Sequence, residues 1–367
     1  MKAFLVDKYG RDTRLRLGTI PEPHLGDQDV LVRILAAGVN PLDAKIMAGE
    51  FRLFLPYKPP FVLGNDVAGI VERVGSGVRR FAPGDEVYAR PAADRIGTFA
   101  ELIAVDEGDL APKPTGLTMA EAASLPLVAL TAWQALVEKA QLQPGQTVLI
   151  HAGSGGVGTI AIQLAKHLGA VVATTTSAAN ADWVRDLGAD RVIDYRRQDF
   201  ERELRDVDVV LDPLGGTNLD RSLRVLRPGG LAIGIGGPPD PDFAGRLGKP
   251  LLRPVFALLS RKARRAARRR GVRYGFLFMR ADGEQLRQIT ALVDAGVIRP
   301  ILDRTFDFDD TPAALDYVGS GRVKGKVVVT LTHLPLFRSN SGQPWPTRPS
   351  SSPEPIAGSD ASSSSNC

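Results

Sequence analysis

The pattern of hydrophobic and polar positions along this chain changes once, near residue 146. Before that point the apolar residues come in short runs that Gly, Pro and Asp separate at close intervals. Runs such as DVLVRILAAGV, DVAGIVERVGSG and GTFAELIAV are rich in Val, Ile and Phe, which is typical of strands joined by turns. Residues 1 to about 120 are therefore predicted to form a compact, mostly antiparallel β unit. A helical segment is predicted from Met119 to about Ala140.

In the second part of the chain, strands and helices are predicted to alternate. The run TVLIHAG at 147–153 is nearly all apolar, as in strands that a parallel sheet buries on both faces. A helix is predicted over 158–168 with Gly169 as its left-handed cap, and another over 180–187 before Gly188. The strands VVATTT, RVIDY, DVVLD and LAIGIG continue the alternation. This part is therefore predicted to be a doubly wound α/β domain.

The end of the chain adds two features. A helix is predicted over 282–295, and strands in IRPILDRTFDF and GKVVVTL are predicted to return to the first β unit. Beyond Leu336 the chain is dominated by Ser, Pro and Gly. Because such a composition buries too few apolar groups to offset the entropy of ordering, residues 337–367 are predicted to be a disordered tail.

Composition excludes fibrous and wholly disordered classes, since 44% of the 367 residues are hydrophobic and 24% are charged. That length predicts two domains at roughly 150 residues each. No stretch reaches the roughly 18 apolar residues that a membrane span needs, and the first residues are too briefly apolar for a signal peptide. The only cysteine, Cys367, cannot form an internal disulfide, so a cytoplasmic location is expected.

The net charge of +5 has its source in one segment. Residues 261–273, RKARRAARRRGVR, carry eight basic and no acidic side chains, so the rest of the chain sums to 5 − 8 = −3. No general nucleic-acid-binding surface is therefore expected. With Leu251 to Leu259 before it, the segment is predicted to form one long amphipathic helix whose arginines are a solvated face. An anionic membrane surface, nucleic acid and a cleft for acidic substrates are the alternatives.

A glycine-rich pattern follows the first buried strand of the α/β domain. Gly153-Ser-Gly155-Gly156-Val-Gly158 fits G-x-G-x-x-G, and it also opens a predicted helix, which is the context that makes the pattern informative. Glycines let the backbone turn tightly and approach a pyrophosphate, while the N–H groups at a helix start point at the anion. A dinucleotide-binding loop is predicted; a glycine turn tightened only for packing is the alternative.

The next strand indicates which dinucleotide is bound. Sites for NAD usually place Asp or Glu about 20 residues after the glycines, to bind the ribose 2′-hydroxyl. The corresponding residues 173–178, ATTTSA, are rich in hydroxyls and lack an acid, which favours the 2′-phosphate of NADPH. Tyr195 would add a phenol, with two arginines after it. In the alternative interpretation the threonines are only strand formers, and Asp182 or Asp194 binds an NAD ribose.

Seven short motifs make the chain resemble a known family. They are GVNPLD (38–43), GNDVAG (64–69), PGDEV (83–87), GTFAE (97–101), TAW (131–133), HAGSGGVG (151–158) and GKV (325–327). In this order they resemble the quinone oxidoreductase branch of the medium-chain dehydrogenase/reductases, over nearly the whole chain except the tail. The resemblance implies a GroES-like catalytic domain at 1–122, a Rossmann NADPH-binding domain at 123–296 and a return to the catalytic domain at 297–336. It also implies an active site in the cleft between the domains, and a homodimer.

The resemblance also shows what the chain lacks. Zinc alcohol dehydrogenases of this superfamily have a Cys near position 39, a His in the box at 64–66 and four Cys in a structural lobe. This chain has Val39, then Gly-Asn-Asp, and a single Cys. Because catalytic zinc takes three protein ligands and structural zinc four, no metal site is predicted. His151 is interpreted as a packing or hydrogen-bonding residue rather than a catalyst.

The expected chemistry follows from the absence of zinc ligands. Hydride delivery from NADPH to a quinone or a conjugated carbonyl (an enone or enal) needs less polarisation than alcohol oxidation, because these acceptors delocalise the incoming charge. The alternative is an NADPH-binding interaction or regulatory protein with weak or lost catalysis. Relatives that reduce enoyl thioesters use a tyrosine as proton donor; Phe51 stands where some family members have a tyrosine, and Tyr57 follows six residues later.

The candidate site residues come from the motifs and the strand ends. The family places the Asn of G-V-N near the nicotinamide, so the resemblance makes Asn40 the candidate catalytic residue; a simple Asn-Pro turn is the alternative. The candidate cofactor-binding residues are Thr131, Ser154, Gly155, Gly156, Val157, Thr176, Ser177, Tyr195, Gly236, Phe276 and Lys324.

Overall fold

A computed structural model describes residues 1–331, and the predicted disordered tail, 337–367, lies outside the described residues. The strands in the described part are β1 (Lys2–Val6), β2 (Arg16–Thr19), β3 (Asp29–Val39), β4 (Phe61–Val62), β5 (Val67–Val74), β6 (Glu86–Ala89), β7 (Leu102–Asp106), β8 (Leu110–Pro112), β9 (Thr147–Ile150), β10 (Val171–Thr176), β11 (Arg191–Asp194), β12 (Val207–Asp212), β13 (Leu226–Gly234), β14 (Arg273–Phe276), β15 (Leu302–Asp307) and β16 (Lys326–Thr330).

The helices are interspersed with these strands. They are α1 (Pro41–Ala48), α2 (Met119–Ala123), α3 (Pro126–Trp133), α4 (Gly156–His167), α5 (Ala181–Asp186), α6 (Phe200–Glu203), α7 (Gly216–Val225), α8 (Pro241–Arg246), α9 (Arg253–Leu259), α10 (Arg261–Arg269), α11 (Gly283–Asp294) and α12 (Thr311–Gly319). A wider π-type turn over Gln134–Lys139 continues α3. No helix within residues 1–331 is long and apolar enough to cross a membrane.

The first β unit is built around its longest strand, β3. The strand order of this sheet is β15-β16-β3-β5-β6-β8, and β7 also pairs with β3. All pairings of β3 are antiparallel, and β16 aligns Val327 with Val39. The end of the described chain therefore returns to the first sheet, as predicted, and brings the GKV motif beside GVN.

The second sheet contains six parallel strands in the order β11-β10-β9-β12-β13-β14. This is the doubly wound order of a dinucleotide-binding fold, in which ligands bind beyond the carboxyl ends of the strands where the order reverses. β9 and its neighbours β10 and β12 mark that point. The predicted α/β fold with an added, mostly antiparallel sheet is confirmed.

Two predicted helices are interrupted. The segment from Met119 to Ala140 breaks before Pro126, because proline has no N–H for the helix ladder and opens α3 instead. The basic segment is not one long helix either, since α9 and α10 meet at Ser260. The Ser260 hydroxyl donates to Phe256 O at 2.7 Å, a local bond that competes with regular helix geometry.

Candidate active site

The glycine loop lies at the carboxyl end of β9, where the order of the parallel sheet reverses. A Cβ added at Gly153 would lie 2.1 Å from Thr174 Oγ1, and one at Gly158 would lie 2.4 Å from Ala152 O. Both positions therefore require glycine. Gly155 is the N-cap of the twelve-residue helix α4, so the N–H groups of its first turn are available to a pyrophosphate. The loop fits a dinucleotide.

Three threonines of β10 stand beside this loop, and each is hydrogen-bonded to it or to β9. The first donates to a main-chain carbonyl of β9 at 2.6 Å, and the second, Thr175, has its hydroxyl 3.0 Å from His151 Nδ1. The third, Thr176, donates to Ser154 Oγ at 2.9 Å and thereby joins the end of β10 to the glycine loop. We refer to residues 151–158 with these threonines as the glycine cradle.

His151 is a neutral part of the cradle. Its Nε2 lies 3.0 Å from Ser222 Oγ, so both ring nitrogens have partners. Burial lowers the pKa of His151 to about 4, although the charge of Asp212 acts in the opposite direction. The imidazole is therefore uncharged near neutral pH, and it is a hydrogen-bonding residue, as the sequence analysis predicts.

A cavity of about 440 Å³ opens on the cradle. Gly155, Gly156 and Val157 form one part of its wall, and Phe51 and Phe278 contribute aromatic rings. Most lining side chains are apolar. This combination of a backbone cradle and an apolar chamber is typical of a site for a cofactor and a small organic substrate.

Polar side chains of the cavity wall belong to a buried network that we call the ionic wall: Asn40, Asp43, Asn65, Asp66, Arg90 and Lys326. None of the six is more than 5% exposed. Lys326 Nζ donates to Asn40 Oδ1 at 2.5 Å and to Asp66 Oδ2 at 3.1 Å. Asn40 Nδ2 donates to the same Asp66 oxygen at 2.8 Å. The three side chains form a closed triangle whose members Asn40 and Lys326 line the cavity.

The rest of the ionic wall supports this triangle from behind. Asp43 accepts hydrogen bonds from Asn40 N at 2.7 Å and from Asn65 Nδ2 at 2.6 Å. Arg90 Nη2 donates to Asn65 Oδ1 at 3.3 Å, while Arg90 Nε has no hydrogen-bond partner within residues 1–331. Asp66 Oδ1 completes the set by accepting Leu127 N at 2.7 Å, which joins the wall to α3.

Burial dominates the electrostatics of this wall. It raises the pKa of Asp43 to about 7, and the charge of Asp66 acts in the same direction, whereas the donors Asn65 and Asn40 and the charge of Lys326 lower it. Burial also lowers the pKa of Arg90, a guanidinium that the nearby carboxylates keep charged. Two carboxyl groups and two cations are thus held away from water beside the cavity.

Six of the predicted site residues line this cavity: Asn40, Thr131, Gly155, Gly156, Val157 and Gly236. Ser154, Thr176, Ser177 and Tyr195 do not line it. Ser154 lies in the glycine loop, Thr176 ends β10, Ser177 follows it, and Tyr195 follows β11 with 58% of its surface exposed. These four lie around the carboxyl ends of β9, β10 and β11, beside the cavity.

The side chains of two other predicted cofactor residues do not line the cavity. Phe276 packs in a buried aromatic cluster, 5.1 Å from the Phe243 ring, and the residues that follow it line the cavity instead. Lys324 is exposed and its N–H donates to Asp303. The lysine that reaches the cavity is Lys326, two residues later, the first residue of β16.

Sequence reasoning missed most of the ionic wall. Asp66, Arg90 and Lys326 stand in or beside the quoted motifs, yet no spacing rule joins them, because they come from three distant segments. The ionic wall could have been predicted from the charged residues within predicted strands, since buried strands rarely hold unpaired charged residues. Because Asp66 is acidic whereas Arg90 and Lys326 are basic, their burial indicates that these charges pair with one another.

Asp194 and Asp182, the two carboxylates considered as partners of an NAD ribose, interact with other groups in the structure. Asp194 is aligned with Thr176 in the sheet, but its carboxylate accepts Arg196 N at 3.1 Å and lies 3.9 Å from Arg197. The Asp182 side chain is almost fully exposed and pairs with Arg185.

The residues at the expected zinc position do not fit a zinc ion. Within residues 1–331 no group of three or more His, Cys, Asp or Glu side chains is arranged to hold a metal. Val39 and Asn65 occupy the family's ligand positions, and the cavity wall presents the cations Arg90 and Lys326. Zinc prefers thiolate, imidazole and carboxylate ligands and would be repelled by these charges.

Comparison with known proteins agrees with this architecture. The alcohol dehydrogenase GroES-like domain matches residues 26–115, and the zinc-binding dehydrogenase family matches residues 187–329. The mitochondrial NAD(P)H oxidoreductase RTN4IP1 of Danio rerio is 34% identical over 90% of this chain and 91% of its own length. The 2-methylene-furan-3-one reductase of Solanum lycopersicum is 34% identical over 90% of this chain and 79% of its own. Since some relatives are mitochondrial or chloroplastic, the cytoplasmic location stays a prediction.

Solved structures give the same result. The quinone oxidoreductase of Coxiella burnetii aligns with a TM-score of 0.79 and 30% identity, covering 90% of this chain and 99% of its own. A mycobacterial protein in complex with NADPH aligns with a TM-score of 0.74 and 28% identity over 90% of this chain and 100% of its own. With its two large sheets of the expected topology, a glycine cradle and relatives of this kind, the chain belongs to the quinone oxidoreductase branch of the medium-chain dehydrogenase/reductase superfamily.

Proposed function

We propose that this protein is a zinc-independent oxidoreductase that reduces a quinone or a conjugated carbonyl compound with NADPH. The observation that carries the proposal is the cavity itself: a mainly apolar chamber that opens directly on the glycine cradle and has a hydrogen-bonding corner at Asn40 and Lys326. A flat, conjugated acceptor fits such a cavity, because its ring or chain can pack against the apolar wall while a carbonyl oxygen accepts a hydrogen bond at the polar corner. The enone reductase among the relatives and the quinone oxidoreductase among the solved structures support the same acceptor classes.

NADPH, when bound, supplies the hydride. The cradle would hold its pyrophosphate at the start of α4, and Ser154, Thr176 and Ser177 would receive the 2′-phosphate at the end of β10. The aromatic side chains Phe51 and Phe278, which line the chamber, would pack against a planar acceptor.

The ionic wall would orient the acceptor and stabilise the charge that develops on it. Asn40 Nδ2 has one strong bond, to Asp66, and one long contact of 3.4 Å, to Gly38 O. The second hydrogen is therefore the one available to an acceptor oxygen. Lys326 Nζ polarises the same amide through Asn40 Oδ1, so negative charge on the acceptor oxygen is met by a preorganised donor. Solvent supplies the proton that completes the reduction.

Turnover with a panel of acceptors tests this function. NADPH oxidation is measured with benzoquinones, naphthoquinones, enones, enals and simple aldehydes. We expect turnover with conjugated acceptors and none with unconjugated aldehydes. The carbonyl group of an unconjugated aldehyde needs stronger polarisation than a hydrogen bond from one amide provides. Tight NADPH binding without turnover on any conjugated acceptor would contradict the proposal and favour a regulatory NADPH-binding protein.

Cofactor choice is tested at Thr176. We expect NADPH to bind at least tenfold more tightly than NADH, which corresponds to about 1.4 kcal/mol. Thr176→Asp should erode the preference, because a carboxylate beside Ser154 repels a 2′-phosphate. Val171→Asp is the matched control, since this residue is exposed at the other end of the same strand and adds the same charge. Equal affinities for both cofactors in the unmodified protein would refute the 2′-phosphate argument.

Metal independence is tested by chelation. The residues at the ligand positions do not fit zinc, so exhaustive treatment with a chelator should leave turnover unchanged. Loss of activity that added zinc restores would show that the assignment is wrong.

A further inference from the structure

Four large aliphatic side chains are exposed on one short segment, residues 251–259, which lies between β13 and β14 in the sequence. The exposed fraction is 91% for Leu251, 41% for Val255, 68% for Leu258 and 53% for Leu259. The last three lie in α9 at positions i, i+3 and i+4, so they share one helical face. An apolar face of this kind on a surface helix marks a site of interaction.

The next helix presents a row of basic side chains. Arg261, Arg265 and Arg268 stand at i, i+4 and i+7 of α10, and all three are exposed. Within residues 1–331 Lys262 of this helix pairs with Asp220 at 2.9 Å, while these three arginines pair with no carboxylate. No acidic residue occurs in the sequence between Asp242 and Asp282. The arginine row is therefore a concentrated positive charge.

The two faces adjoin each other across Ser260. The Ser260 N–H donates to Phe256 O at 3.0 Å, and the Arg264 N–H donates to Ser260 O at 2.9 Å, so hydrogen bonds join the two helices although regular helix stops at Ser260. Exposed leucines therefore lead directly into exposed arginines. We refer to residues 250–270 as the docking segment.

The docking segment is packed against the wall of the cavity. Phe256 of α9 is fully buried, and its ring lies 6.1 Å from that of Phe54. Phe54 in turn contacts Phe51 and Phe278, at 5.4 Å and 6.0 Å between ring centroids, and both of these line the cavity. A continuous aromatic cluster thus connects the inner face of the segment with the substrate chamber.

We propose that the docking segment binds an anionic membrane surface. Leucines enter the boundary between headgroups and acyl chains, and arginines bind lipid phosphates with charge-assisted hydrogen bonds, which is how interfacial helices attach to a bilayer. Each basic side chain near an anionic surface strengthens binding by a factor of roughly five. The segment supplies both components, next to each other and on exposed faces.

The composition of the segment favours a lipid surface over two other occupants. Single-stranded nucleic acids are bound with stacking aromatic side chains, and the only aromatic residue of the segment, Phe256, is buried. A two-fold contact with a second copy of the chain would place the same patch against itself and bring the arginine rows of both copies together. Anionic lipid matches both the exposed leucines and the positive charge of the arginine row.

Docking would bring the aromatic wall of the chamber close to the bilayer. That proximity would favour a hydrophobic acceptor, such as a hydrophobic quinone or a lipid-derived enal. This consequence rests on the proposed function, whereas the docking itself does not.

Flotation with vesicles tests the proposal on the full-length protein. Vesicles of phosphatidylcholine alone are compared with vesicles that also contain phosphatidylglycerol. We expect binding only to the anionic vesicles, and a decline as salt is raised, because the Debye length falls from about 10 Å at 0.1 M to about 3 Å at 1 M ionic strength. Equal binding to both vesicle types, or to neither, would overturn the proposal.

Two sets of variants assign the binding to the segment. Replacing Arg261, Arg265 and Arg268 by Gln should weaken binding on the order of 100-fold, since each charge is a factor of roughly five. Replacing Leu251 and Leu258 by Ser should weaken it at least tenfold. The matched control replaces three exposed arginines elsewhere, Arg11, Arg14 and Arg202, by Gln and should bind as the unmodified protein does.

Further measurements on the same variants complete the test. Melting temperature and turnover with a water-soluble quinone should be unchanged in all variants, because none of these side chains touches the cavity or the cradle. An equal loss of vesicle binding in the control triple variant would overturn the assignment to this segment. Tighter binding to a DNA duplex or single strand than to anionic vesicles would identify nucleic acid as the partner. A shift from dimer to monomer in the leucine variant, with vesicle binding retained, would identify the face as a subunit contact.

Discussion

The glycine cradle and the ionic wall border one cavity, but they are constructed differently. Cradle side chains are neutral: His151 has both nitrogens hydrogen-bonded to hydroxyl groups and a pKa lowered to about 4, and its neighbours are threonines. The ionic wall buries Asp43, Asp66, Arg90 and Lys326 in direct or near contact. One region therefore depends on shape and the other on charge balance.

This difference has consequences for tolerance to change. A cradle formed by close backbone approach fails when volume is added, because there is no space for a Cβ. A buried ionic network fails when one charge is removed, because its partner is left in a low dielectric environment without compensation. The two regions should therefore respond to different substitutions and by different amounts.

Lys326→Met should have the largest effect. It removes the cation that contacts Asn40 and Asp66 and leaves the fully buried Asp66 without its paired cation. Breaking a buried ion pair from one side costs about 3–5 kcal/mol of the free energy of unfolding. Denaturant unfolding measures the loss, and Lys324→Met, at an exposed lysine two residues earlier, is the control that should stay within about 0.5 kcal/mol of the unmodified protein.

A double variant distinguishes lost charge balance from lost packing. If the cost comes from the orphaned carboxylate, adding Asp66→Asn to Lys326→Met should recover about 1 kcal/mol or more, since the coupling between contacting residues is 0.5–3 kcal/mol. Additive losses in the two variants would mean that the ionic wall is not an electrostatic unit.

Gly158→Ala should damage the cradle by adding volume. Its Cβ would lie 2.4 Å from Ala152 O and 2.7 Å from Gly153 Cα, both main-chain atoms that cannot move independently. Overpacking of this kind costs about 1–3 kcal/mol. NADPH affinity, measured by titration, should fall at least tenfold because the loop must shift. Gly116→Ala has open space around its new Cβ and should change neither stability nor affinity, so a loss there as large as at Gly158 would contradict the steric explanation.

The cradle could be predicted from the sequence because its parts are close together in the chain. A buried strand, a glycine pattern and a helix start occupy residues 147–168, and Gly153 and Gly158 have a steric reason that the pattern already encodes. The alternation of elements also predicted that this part is a doubly wound α/β domain. Local signals were sufficient for this half of the molecule.

The ionic wall could not be predicted in the same way. Asn40 and Lys326 are 286 positions apart and meet only because β16 lies antiparallel to β3. Which lysine of the GKV region reaches the cavity depends on where β16 begins, and the sequence prediction selected Lys324, whose side chain is exposed. The break of the basic segment at Ser260 depends likewise on one side-chain hydrogen bond that periodicity does not report.

Asn40→Ala should lower kcat by roughly 10- to 100-fold, or about 1.4–2.7 kcal/mol, with NADPH affinity nearly unchanged. The amide lies between Asp66 and Lys326 and lines the cavity. Under the proposed function it would donate to the acceptor oxygen as negative charge develops there. Steady-state kinetics, NADPH titration and thermal unfolding are compared on the one variant. A parallel fall in cofactor affinity and melting temperature would instead identify Asn40 as a residue that only holds its loop, and an unchanged kcat would remove it from the mechanism.

The smallest expected effect is a pair of opposite pH dependences. Asp43 has a pKa of about 7 in the folded protein and an ordinary value of 3.8, so the folded state holds an extra proton between pH 3.8 and 7. Its contribution to stability therefore falls as pH rises through that window. His151 has a folded pKa of about 4 and an ordinary value of 6.5, so the unfolded state holds the extra proton. Its contribution falls as pH drops from 6.5 towards 4.

Between pH 4 and 6.5 these two contributions oppose each other, one from the ionic wall and one from the cradle. A substitution that removes one of these two titrating side chains should reveal the pH dependence that the other contributes. The slope of unfolding free energy against pH should then change by at most about 1.4 kcal/mol per pH unit, the value for one proton. In His151→Gln the stability should rise more steeply as pH falls, and in Asp43→Asn it should fall more steeply. The slope is the readout, because each substitution also lowers stability by an amount that does not depend on pH. Slopes that match the unmodified protein in both variants would show that neither group titrates in this range, and that the contrast between the two regions is one of packing alone.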